Sequence, residues 1–395
     1  MNKPVLPMSS LSLKLPTADG ALETYRLAAS RTFPAKLDGS LNRVAFSAAH
    51  VVADPRADVD PWLTAAIDWD RTIAFREHIW DLGLGVAEAM DTAQRGMGLD
   101  WPTSLELITR SVAAAKRRNA LVFSGAGTDH LAVEDAKTLD DVIRAYEEQI
   151  SAVEKVGGRI ILMASRALAK LGRGADDYAK VYNRVLSGVA QPVIIHWLGD
   201  MFDSQLAGYW GSSDFEQALD CVLNIISENR DKIEGIKISL LENSKEVALR
   251  DRLPQGVLCF TGDDFNYAEL IEGDGKRHSH ALLGIFDAVA PSASKALACL
   301  ASGDAKTFRA VIEPTVPLSR KIFEAPTQYY KAGVVFLAWL NGHQSHFSLP
   351  AGMQSARGIL HYADIFRLAD QANVLDNPEL ATRRMKNFAG IYGIE

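Results

Sequence analysis

The 395-residue chain is 48% apolar, enough to bury the core of one large domain or two ordinary ones, which excludes a disordered or fibrous protein. Its 42 Lys and Arg against 49 Asp and Glu leave a net charge of -7 with no long basic run, which argues against nucleic acid or an anionic membrane as a partner. The three cysteines (Cys221, Cys259, Cys299) form no CxxC pair, and no leader or bilayer-length apolar run is visible, so a soluble protein of the reducing cytoplasm is expected.

Residues 1–40 read as an N-terminal extension, with a weak strand pattern at Leu11 to Leu15. Eight short β-rich apolar runs follow, most of them ahead of a helical pattern: Arg43 to Ser47, Leu84 to Ala89, Ala120 to Ser124, Arg159 to Ala164, Pro192 to Trp197, Glu234 to Ser239, Val257 to Thr261 and Ala281 to Phe286. Segments such as Thr138 to Val156 and Ser213 to Asn229 carry apolar residues at helical spacing, and Thr138 with Asp141 and Ser213 with Glu216 resemble capping boxes. Strands apolar on both faces, alternating with helices, predict a parallel sheet under a helical coat. Eight such units in roughly 250 residues predict a (β/α)8 TIM barrel over residues 41–306, while a doubly wound open sheet is disfavoured because no GxGxxG follows any strand. Residues 307–395 read as a C-terminal helical appendix packed on the barrel, whose expected role is packing or an oligomer contact rather than chemistry.

Chemistry in this fold gathers at the C-terminal ends of the strands. The polar residues falling there are His50, then Glu88, Asp91, Gln94 and Arg95, Ser124, Ser165 and Arg166, His196, Lys237 and Ser239, and finally Asp263 and Asp264. Lys237 is the sharpest, because in EGIKIS it interrupts a strand that is otherwise buried. With Ile236 and Ile238 facing the helices, alternation turns Lys237 and Ser239 into the barrel. Burial lowers a lysine's pKa, and a neutral amine attacks carbonyls to form a Schiff base. The structural alternative is a lysine paired with a barrel carboxylate such as Glu88.

The GIK tripeptide around Lys237, TGDD after strand 7, VFSGAGT after strand 3 and PVIIHW on strand 5 resemble, in order and spacing, the dihydrodipicolinate synthase and N-acetylneuraminate lyase superfamily of class I aldolases. The likeness covers roughly Arg43 to Phe323. More narrowly, the block VAEAMDTAQRGMGLDW resembles a bacterial dihydrodipicolinate-synthase-like branch. The resemblance implies that Lys237 forms an imine with a 2-oxo acid, that Gly262, Asp263 and Asp264 position substrate at the mouth, and that no cofactor is needed beyond that covalent imine. It further implies a homo-oligomer, a dimer or tetramer.

Two departures stand out. His196 occupies the place of the superfamily's strand 5 tyrosine, and imidazole is suited to acid and base work near neutral pH. Where the superfamily has a Gly-Thr-Thr-Gly-Glu carboxylate-binding loop, this chain has Asp91, Thr92, Ala93, Gln94 and Arg95. Arg95 would take a carboxylate bidentately, whereas Asp91 would repel one, so a sugar-derived ketone is as good a candidate as pyruvate. The reading is therefore a Schiff-base lyase or aldolase acting on a small carbonyl compound. Lys237 and His196 are its catalytic pair, and His50, Glu88, Asp91, Thr92, Gln94, Arg95, Ser124, Ser239, Gly262, Asp263 and Asp264 bind substrate.

Two other readings remain. A metal-dependent barrel aldolase or isomerase would use His50, Glu88, Asp91 and His196 as ligands, but no HxH or ExxH pair supports it, and no metal is expected. A non-catalytic binding barrel would need His196 to be incapable of proton relay. The histidines in EGDGKRHSH and NGHQSH read as parts of solvated loops.

Overall fold

All eight apolar runs form strands in the computed structural model, which describes residues 11–28, 33–91 and 94–394. Behind an N-terminal pair, β1 (Ser12–Pro16) and β2 (Leu22–Arg26), they are β3 (Ala45–Ser47), β4 (Gly85–Glu88), β5 (Val122–Ala126), β6 (Arg159–Leu162), β7 (Val193–Leu198), β8 (Ile233–Ser239), β9 (Leu258–Thr261) and β10 (His280–Leu283). From β3 on, each pairs in parallel with the next, and β10 returns to β3, so the sheet closes into a (β/α)8 barrel. The last strand stops at Leu283 and gives way to a helical turn at Ile285–Ala288, three residues short of the expected end.

The runs are apolar on both faces because each strand has two cores to serve. Inward residues, among them Phe46, Ala87, Phe123, Ile161, Ile194, Phe260 and Leu282, fill the lumen. Outward residues such as Val86, Ile195, Trp197, Ile236 and Ile238 join the larger core beneath the helices. Side-chain alternation along a pleated strand produces this division. Helix starts follow local chemistry: Thr138 and Asp141 form the expected capping box of Leu139–Lys155. At Phe215–Glu228 the cap is Asp214, accepting from the Gln217 N–H, and not the Ser213 read from sequence, since the carboxylate one residue later reaches the exposed amide.

The Leu11 to Leu15 pattern corresponds to β1, which pairs antiparallel with β2, a strand not anticipated because its side chains are mostly exposed. This hairpin packs on the last helices, where Tyr25 donates to Asp370 at 2.7 Å and Arg367 donates to the Pro16 carbonyl at 2.8 Å. Among the described residues no helix is long and apolar enough to cross a membrane.

One buried ion pair fixes the coat to the barrel beside the mouth. Arg76, on the helix Trp69–Asp81, meets Glu88 at the end of β4 through two 2.9 Å contacts, and both side chains are fully buried. Ser111 on the next helix also donates to Glu88, and Arg76 reaches back to the carbonyls of His50 and Ala49. Glu88 is thus committed to the helices and does not pair with Lys237. Breaking such a pair strands a charge in the interior, so Arg76→Met is expected to lower stability by about 3–5 kcal/mol. Urea denaturation measures this, and a loss below about 1 kcal/mol would show the pair to be dispensable.

Candidate active site

Lys237 lies in the middle of β8, in register with His196 on β7 and Phe260 on β9. Its neighbours Ile236 and Ile238 pack outward, so its side chain turns into the lumen as alternation requires. Room for it comes from Gly262, just past β9: a Cβ there would overlap Ser239 Oγ and lie 2.6 Å from Lys237 Cε. The lysine stem therefore passes against bare backbone, beside Ser239, to reach the mouth.

Charge is balanced by residues from two strand ends and a C-terminal helix. Burial pushes the Lys237 amine down to about 8, Asp264 and Asp91 pull it up, and Lys331 pushes it further down. Asp264 is itself pushed up by burial to about 7, against the opposing effects of the Ile285 amide and Lys237. Its carboxylate accepts that amide at 2.8 Å, and its carbonyl accepts the Ser319 hydroxyl at 2.5 Å, which locks the loop after β9. His196 faces the lumen beside Lys237, with Nε2 3.2 Å from Ser239 Oγ and Nδ1 buried without a partner. Burial, and then Lys237, hold the imidazole well below its ordinary range, so it is neutral at physiological pH.

The C-terminal segment supplies what the sequence pattern did not anticipate. Lys331 opens the helix Lys331–Leu340, and its amine sits 2.9 Å from Asp91 and 2.5 Å from the Ala48 carbonyl. Tyr330, one residue earlier, donates its hydroxyl to the same Asp91 carboxylate. Its ring stacks on Phe323 at 4.2 Å and meets Phe202, from the loop after β7, edge-on at 6.5 Å. Gly284 at the end of β10 admits that ring, since a Cβ there would lie 3.0 Å from Tyr330 Cε2. Tyr330 and Lys331, read from sequence as part of a helical appendix, thus reach the Asp91 carboxylate at the barrel mouth. A signal was present in the sequence: Lys331 begins a helix in which every residue is buried, the same kind of anomaly that picked out Lys237.

Other expected site residues lie elsewhere. His50 turns toward the helices, its Nδ1 2.8 Å from Asp287 and its ring 4.3 Å from Phe75. Burial works to raise the Asp287 carboxyl, but His50 and Lys331 hold it below the usual range. Ser124 alternates with the lumen residue Phe123 and so faces outward, fully buried and with its hydroxyl unpartnered. Arg95 is no open carboxylate clamp: its five N–H donors go to Asp129 (twice), Ala89 O, Gly125 O and Gln149 Oε1. It pins the turns after β4 and β5. Gln94 is buried in the same turn, its backbone N–H donating to the Asp91 carbonyl. Asp263 caps the turn beyond β9, accepting from the amides of Phe265 and Asn266. Thr92 and Ala93 lie outside the described residues. His343, read as part of a solvated loop, is packed between Phe75 and His78 instead. Among the described residues no group of three or more His, Cys, Asp or Glu side chains converges in a way that would hold a metal ion.

Solved structures of dihydrodipicolinate synthase and of related proteins share this chain's closed eightfold barrel. Dihydrodipicolinate synthase from Aquifex aeolicus is 13% identical with a TM-score of 0.62, over 84% of this chain and 99% of its own. YagE of Escherichia coli K12, a prophage protein of the dihydrodipicolinic acid synthase family solved with pyruvate, is 13% identical with a TM-score of 0.61, over 90% and 100%. The chloride-inhibited enzyme from Acinetobacter baumannii, complexed with pyruvate, is 15% identical with a TM-score of 0.58, over 84% and 99%. The chain belongs to the family described as Protein of unknown function (DUF993), whose profile matches residues 13–394. No curated protein matches the sequence.

With its amine lowered from 10.5 to about 8, roughly a tenth of Lys237 is neutral at pH 7, against well under a thousandth for a solvated lysine. Amine-selective labelling of Lys237, followed by peptide mass spectrometry between pH 6 and 10, is expected to rise with a midpoint near 8. A midpoint near 10 would mean that the amine is not desolvated.

Proposed function

We propose that this protein is a Schiff-base-forming lyase or aldolase that makes or breaks a C–C bond, or eliminates water, in a small 2-oxo acid or ketosugar-derived substrate. The observation that supports it most is the Lys237 amine, buried in the lumen with its proton loosened by desolvation. The neutral amine adds to the substrate carbonyl, the carbinolamine loses water, and the resulting iminium accepts the electron pair of the bond that breaks. His196, neutral and hydrogen-bonded to Ser239, is suited to take a proton from the substrate hydroxyl as that bond cleaves and to return one to the enamine carbon. Asp264 is an acceptor for a substrate hydroxyl. Because all five Arg95 donors are engaged, the balance moves from a bare 2-oxo acid toward a hydroxylated ketone.

The fold-sharing proteins solved with pyruvate make it one reasonable probe, and dihydroxyacetone is the hydroxyketone counterpart. Incubation with either, reduction by borohydride and digestion is expected to yield a Lys237 peptide heavier by the reduced probe. Lys237→Ala is expected to take up none. The rate of trapping is expected to increase about tenfold per pH unit below 8, as the neutral amine fraction does. An identified activity that survives Lys237→Ala would refute the imine mechanism.

A further inference from the structure

The mouth holds a second group of proton-bearing side chains beyond His196 and Ser239, and it comes from the far end of the chain. Tyr330 and Lys331 converge on one carboxylate, Asp91, from consecutive positions at the start of a helix that lies more than 200 residues away in sequence. The phenol ring is held by packing: Phe323 stacks on it, Phe202 abuts it, and the backbone of Gly284 leaves the gap it occupies. This residue is 5% exposed, so its hydroxyl is directed by packing and not by solvent. Asp91 and Asp264, the two carboxylates that support the Lys237 charge, are also the first two carboxylates acting on the Tyr330 phenol. The hydroxyl and the amine therefore share one electrostatic neighbourhood.

We infer that Tyr330 is a catalytic residue of imine formation, passing protons at the Lys237 carbinolamine, and that Asp91 and Lys331 are the positioning residues that hold its hydroxyl there. This rests on the Schiff-base reading above and narrows His196 to the bond that is cleaved.

The protons balance. Attack by the Lys237 nitrogen on the carbonyl carbon forms the C–N bond and leaves an alkoxide beside a protonated nitrogen. Tyr330 gives its proton to the alkoxide oxygen while the nitrogen proton returns to the phenolate, so the tyrosine ends as it began. Breaking the C–O bond then releases water with one further proton, which the Asp264 carboxyl can supply near neutral pH, and leaves the iminium. Burial and then Asp91 keep the phenol protonated well above its ordinary range, which suits it to an alkoxide and keeps it from ionising at rest. Lys331, bonded to Asp91 and to the Ala48 carbonyl, holds that carboxylate in place.

The test is single-turnover borohydride trapping on the full chain, with pyruvate and with dihydroxyacetone, comparing wild type, Tyr330→Phe and Asp91→Asn. Tyr330→Phe keeps the ring and its stack, so its melting temperature and the Lys237 labelling midpoint are expected to stay as in wild type, while trapping slows about 100-fold and loses its solvent isotope effect. Asp91→Asn removes an anion that raises the lysine's pKa, so it is expected to lower the labelling midpoint and still to slow trapping about tenfold, despite the larger neutral amine fraction. If wild type is labelled and Tyr330→Phe is labelled equally fast, Tyr330 has only a packing role and the inference is wrong. It is wrong as well if Asp91→Asn traps at or above the wild-type rate. No label on wild type from either probe would refute the Schiff-base reading itself, and this inference with it.

Discussion

Removing an ammonium ion from water costs several kcal/mol, and Lys237 has been removed to the middle of a barrel strand. Much of the architecture around the mouth answers that cost. Two carboxylates from different strand ends approach it, a second lysine limits how far they can restore its proton, and two glycines give the lysine stem and the tyrosine ring their space. A buried lysine with a good single ion pair would keep its proton and be inert toward carbonyls. Here opposing effects leave it poised, which is the state a nucleophilic amine requires.

That balance depends on groups distant in sequence. Asp91 follows β4, Asp264 follows β9 and Lys331 belongs to the C-terminal helices, so the site does not exist until the barrel has closed and the last helices have docked. Glu88 shows the other side of the same constraint. One strand position inward or outward separates a lumen residue from a coat residue, and Glu88 falls on the coat side, where Arg76 neutralises it.

Much of the fold was legible because its determinants are local. Strand runs announce themselves by apolar residues on both faces, and the inward direction of Lys237 follows from its isoleucine neighbours alone. The same reasoning places His196 beside it. Reasoning by spacing failed where a side chain's partner lies across the fold. Arg95 looked available for a carboxylate, but Asp129, Gln149 and two carbonyls use all its donors. His50 follows a strand as a ligand would, yet the turn after β3 rotates it toward Asp287 and Phe75. Ser124 fell one residue out of phase with the lumen.

Periodicity along the chain, a short-range property, determined the eightfold alternation, the closed barrel and the lysine in its lumen. Which carboxylates face that lysine, which cations are already spent, and that Tyr330 and Lys331 belong to the mouth at all were decided only by tertiary structure. The physical reason is that charge and hydrogen bonding act through space over a few ångströms, and closure of the barrel brings together residues that the sequence holds hundreds of positions apart.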